Sequence, residues 1–138
     1  MKRTDLQSLA EDRLDDAQAL LHAQRWTAAY YLLGYAIECA LKACAARQFQ
    51  QDTVPEKTVV NDYYTHSIDR LLNISGVKVA LQAAVAADPA FAVNWNTVRD
   101  WSVDSRYNVL ITEIKAREMF DAVADQTSGV LTWLRTQW

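Results

Sequence analysis

The sequence predicts an all-α fold: an up-and-down bundle of four to five helices with short additional helices, one domain over residues 1–138. Three observations predict it. Leucine and alanine recur at helical spacing through three long stretches. There are only three Gly and two Pro, so few tight turns are specified. No alternation of apolar and polar residues persists long enough to build a sheet.

The first helix spans residues 5–22. Leu6, Ala10, Leu14, Ala17 and Leu21 form one stripe, and Glu11, Asp12, Asp15 and Asp16 lie on the other side. That is an amphipathic surface helix. Thr4 is its expected N-cap, with Asp5 favourable in the first turn.

The second helix runs from about Trp26 to Gln48. Trp26, Tyr30, Leu33, Ile37, Leu41 and Cys44 make one stripe; Tyr31, Gly34, Tyr35, Glu38 and Lys42 make the opposite one. A helix apolar almost all round belongs at the centre of a bundle. Gly34 costs about 1 kcal/mol relative to alanine inside a helix, so a close approach of another group is expected there.

Residues 49–64, FQQDTVPEKTVVNDYY, show no helical stripe and read as a long loop. Thr65 looks like the N-cap of a short helix from His66 to about Ser75, ended by Gly76. Another short helix follows from about Val77 to Ala87. Asp88 is then placed to cap a further segment that has Pro89 at its first position. Residues 93–101, VNWNTVRDW, suit a short helix, and SVDSRYNVLI is irregular. Thr112 and Glu113 open a last long helix to about Gln137. Five Trp and six Tyr are rich for this length, and some are expected at a homodimer interface.

Charge and motifs exclude several functions. The net charge of −3 argues against broad nonspecific binding of duplex nucleic acid, which needs many neutralised phosphates. No apolar run approaches the roughly 20 residues of a membrane helix. The first residues, MKRTDLQSLAEDRLDD, hold no apolar core of the signal-peptide kind. A cytoplasmic protein without membrane contact is expected. Cys39 and Cys44 lie about 140° apart around one helix and cannot pair with each other. With His22 and His66 they match no zinc spacing, so no metal or cofactor is expected. There is no phosphate-binding glycine loop and no nucleophile elbow.

What remains are polar residues in apolar settings: Glu38, Lys42, His66, and Arg106 with Tyr107. Glu38 and Lys42 stand in the favourable i, i+4 order. Arg106 is the natural third member of a polar clamp, because a guanidinium can hold a carboxylate at two points. One reading is a structural clamp of Glu38, Lys42 and Arg106. The other is a ligand-facing pocket with Tyr31 and Tyr35 as stacking surfaces.

The helix 30-YYLLGYAIECALKA-43, the later 65-THSIDRLL-72 and the closing 101-WSVDSRYNV-109 resemble the HEPN superfamily, with similarity in order and spacing over roughly residues 5–137. The resemblance implies a helical bundle, usually dimeric, with a polar groove near the dimer axis. It implies a role in RNA metabolism, or pairing with a minimal nucleotidyltransferase in a toxin–antitoxin-like context. Ribonuclease members carry Arg, four to six residues, then His. No His follows Arg106 here, so no catalytic residue carries over.

The expected function is a non-catalytic module, homodimeric, that binds RNA, a nucleotide or a nucleotidyltransferase partner. Lys42, His66, Arg106, Tyr107, Tyr31 and Tyr35 are its expected contacts. The alternatives are a divergent metal-independent ribonuclease using His66 and Arg106, and a purely structural dimerisation domain.

Overall fold

The computed structural model describes residues 1–138, and the chain is all-α with no strand. Eight α-helices follow in order: α1 (Arg3–His22), α2 (Trp26–Ala46), α3 (Lys57–Tyr63), α4 (Ile68–Ile74), α5 (Lys78–Ala87), α6 (Pro89–Arg99), α7 (Glu113–Ala124) and α8 (Val130–Leu134). A 3-10 turn, Val103–Tyr107, separates α6 from α7.

The hairpin of α1 and α2 is the frame. Gln24, with φ 58°, turns the chain between them. Leu6, Ala10, Ala17 and Leu21 of α1 are buried, as its stripe predicts, and Leu14 is partly so. The helix begins two residues earlier than expected, after Lys2 rather than Thr4. The Asp5 carboxylate accepts the Lys2 backbone N–H at 2.7 Å and so takes over the capping. On the other face, Glu11 receives both ends of the Arg135 guanidinium at 2.6 and 2.7 Å.

α2 is buried along nearly its whole length and packs against α1, α4, the 3-10 turn, α7 and α8. Gly34 is the close approach that its place mid-helix implies. A Cβ there would lie 2.1 Å from carbons of the Trp101 indole. Trp95 and Trp101 lie in the core of the chain itself, at 5% and 4% exposure.

Three further boundaries depart from expectation. The stretch 49–64 is not all loop, because α3 forms within it. None of α3's residues is fully buried, so it has no apolar stripe to read. The cap of the next helix is Ser67, not Thr65; the Thr65 hydroxyl accepts the Ser67 N–H instead, and α4 starts at Ile68. The last helix is not continuous to Gln137. Asp125, at φ −49° and ψ 129°, leaves the helical region. Its carbonyl accepts from the Gly129 N–H at 2.9 Å and the Thr132 hydroxyl at 2.7 Å. Its carboxylate accepts from the Ser128 N–H.

That corner is fastened to another. The Ser128 hydroxyl donates to Asp88 at 2.7 Å, and Asn94 donates to the Ser128 carbonyl at 2.9 Å. Asp88 also caps α6 by accepting the Ala90 N–H, with Pro89 at the first helical position, as the sequence implies. The hydrogen bond from Ser128, with those from Phe91 and Ala90, holds the Asp88 carboxyl below its usual range. No helix is long and apolar enough to cross a membrane.

Candidate functional site: a buried carboxylate and an arginine cleft

Two polar places emerge, and they divide the residues singled out in the sequence. The first is built on Glu38, in the middle of α2 and only 1% exposed. Its Oε1 accepts from Lys42 Nζ at 2.7 Å and from His66 Nδ1 at 3.0 Å. Its Oε2 lies 3.2 Å from the same Nδ1. A carboxylate has no hydrogen to give, so Nδ1 carries the ring hydrogen. The third member of the clamp is therefore His66, and Arg106 is not part of it.

Geometry explains that correction. Arg106 lines a cleft with Tyr31, seven residues before Glu38 on α2. Seven residues of helix span about 10 Å along the axis. His66 instead precedes α4, which packs directly on α2. Burying a carboxylate is costly unless charge and hydrogen bonds compensate it, and here both are supplied.

A small cavity of about 270 Å³ lies beside the pair, lined by Tyr35, Tyr63 and Tyr64 as well as Glu38 and Lys42. Burial pushes the Tyr35 phenol above its ordinary value, with Cys39 and Glu38 adding to the effect. Cys39 and Cys44 are buried, and burial pushes both thiols up to about 11. At neutral pH they are uncharged and packed as small apolar groups. No three His, Cys, Asp or Glu side chains are grouped to hold a metal ion.

The second place is a cleft of about 570 Å³ at the amino end of α2. Arg25, Trp26, Thr27, Tyr31 and Arg106 line it, and no carboxylate does. Neither guanidinium takes part in any ion pair, whereas Arg13, Arg70, Arg99, Arg117 and Arg135 each hold a carboxylate. Arg106 lies over the Tyr107 ring at 4.8 Å from its centroid. The Tyr107 phenol beside it raises the guanidinium's pKa further, so it is always charged. The Arg25 side chain makes no cap, no acidic residue stands in the first turn of α2, and the backbone N–H groups of Trp26, Thr27 and Ala28 have no acceptor in the chain.

Two aromatic rings, Trp26 and Tyr31, line this cleft. Tyr31 stacks on Tyr35 at 6.3 Å and tilts against Trp101 at 6.0 Å. Tyr107 is 72% exposed. The Thr27 hydroxyl donates to the Asn108 carbonyl at 3.2 Å and ties the segment after the 3-10 turn to α2.

Of the expected contacts, Tyr31, Arg106 and Tyr107 are thus gathered at one end of α2, whereas Tyr35, Lys42 and His66 sit around Glu38. Arg25 was missed by sequence reasoning. Its signal was its position immediately before α2, where a helix usually carries an uncharged or acidic cap. The chain matches no protein family, no characterised protein and no solved structure.

Proposed function

We propose that this chain is a binding module for an anionic ligand, RNA or a nucleotide, taken at the arginine cleft. The observation that carries the reading is the pairing of two unneutralised guanidiniums with no carboxylate among the lining residues, on a chain whose net charge is −3. Guanidiniums hold phosphate oxygens at two points, and the amino end of a helix favours the same charge. The exposed ring of Tyr107 offers a face for a base. The resemblance of the sequence to the HEPN superfamily is consistent with this reading. The ribonuclease alternative has no comparable support, because His66 and Arg106 line separate clefts.

Arg25→Ala and Arg106→Ala test it. Both side chains are exposed, so melting temperature should hold. Anisotropy of a labelled single-stranded RNA is expected to show each variant binding several-fold more weakly, with the salt dependence reduced by about one phosphate contact. Binding that survives loss of both arginines, or no binding by the intact chain at low salt, would remove the proposal.

Beside the cleft, Val109, Leu110 and Ile114 are exposed at 88%, 80% and 70%. An apolar run of this kind next to a polar groove fits a second copy of the chain. Leu110→Asp is expected to convert a dimer into a monomer in sedimentation equilibrium. A wild-type chain that is already monomeric at high concentration would refute this.

A further inference from the structure

The Glu38–His66 contact does more than fasten α4 to α2. Glu38 is 1% exposed while the His66 side chain is 58% exposed, so a buried anion holds a surface imidazole in one tautomer. Nδ1 is committed to the carboxylate. Nε2, on the far side of the ring, makes no hydrogen bond within the chain. An imidazole whose Nδ1–H is held by a carboxylate keeps its Nε2 lone pair fixed in place and free to act as a nucleophile.

The surroundings select the kind of electrophile. His66 lines a cavity of about 420 Å³ with Thr65, Ser67, Asp69, Arg99 and Ser102. Each of the three hydroxyls already accepts a backbone N–H: Thr65 from Ser67, Ser67 from Arg70, and Ser102 from Asp104. None donates within the chain, so three O–H groups remain to be given to an acceptor. Arg99 pairs with Asp69 at 2.9 Å, but both side chains are more than half exposed. Such a pair is weak, and its guanidinium can turn to a stronger anion.

We infer that His66 Nε2 is a phosphoryl-acceptor site, with Glu38 as its positioning residue and Arg99 and the hydroxyls receiving the phosphoryl oxygens. The Nε2 lone pair forms the N–P bond. The donor's bond to phosphorus breaks, and the leaving group departs with that electron pair. Nδ1 keeps its hydrogen, and Glu38 faces the imidazolium charge that results. The donor is a small activated phosphoryl compound. This site is separate from the arginine cleft, and neither reading depends on the other.

The chain contains its own control. His22, at the end of α1, is also exposed but has no carboxylate partner. The full chain is treated with phosphoramidate, and phosphorylated peptides are quantified at alkaline pH by mass spectrometry. His66 is expected to react about tenfold faster than His22, and the ratio to fall to near one in urea. Equal rates in the native chain overturn the inference.

Arg99→Gln separates acceptor chemistry from plain nucleophilicity. It is expected to slow phosphoramidate labelling of His66 several-fold while leaving labelling by the neutral reagent diethyl pyrocarbonate unchanged. No effect, or an equal effect on both reagents, overturns the phosphoryl assignment. Glu38→Gln, where it folds, is expected to bring His66 down to the His22 rate.

Discussion

Glu38→Ala is expected to lower the melting temperature by about 10 °C. The substitution removes the only carboxylate paired with Lys42, whose side chain is 14% exposed, and leaves an ammonium nearly enclosed. It also frees His66, and with it the contact that binds the start of α4 to α2. Breaking a buried pair from one side costs about 3–5 kcal/mol. Lys42 reaches some water, so the low end applies, about 3 kcal/mol. At this chain length each kcal/mol moves the midpoint by roughly 3–4 °C. Thermal unfolding by circular dichroism measures it. A variant that melts within a degree or two of the parent would show that the carboxylate stabilises nothing.

The second large effect is expected at Gly34. Alanine is the better helix former by about 1 kcal/mol. Here that gain is overwhelmed, because the new methyl would fall 2.1 Å from Trp101 Cδ2 and Cε2 and 2.3 Å from Cγ. The indole is 4% exposed and lies against Tyr31, so it has little room to retreat. Overpacking of this kind costs about 3 kcal/mol. Denaturant unfolding of Gly34→Ala, Trp101→Leu and the double variant forms a cycle. The two changes should couple, with the smaller leucine absorbing much of the methyl. Additive effects, or a stable Gly34→Ala, would mean that the contact is not tight.

Gly34 was legible in the sequence because glycine inside a long apolar helix is costly and needs a local reason. The Asp88–Pro89 corner was legible for the same kind of reason, since both residues act on their nearest neighbours. The break at Asp125 was not. Asp125 through Gly129 has turn composition, yet Val123, Thr127 and Val130 continue at helical spacing across it, and periodicity outweighed the local signal. α3 was missed because a short exposed helix presents no stripe.

The candidate site was half legible. Glu38 and Lys42 are one turn apart on one helix, which spacing alone reveals. Their third partner comes from 28 residues away, and that choice depends on which segment packs across α2. Chemistry favoured a guanidinium, whereas topology supplied an imidazole.

The enclosure of α2 has a consequence for synthesis. The last helices to cover it are α7 and α8, and residue 113 is made long after residue 46. At about 5–20 residues per second, the ribosome leaves this apolar rod incompletely covered for several seconds. Until α4 and the 3-10 turn follow, only α1, already emerged, shields one side. The nascent hairpin is therefore the stage at which chaperones have most to hold, and at which two chains have most to gain by sticking together.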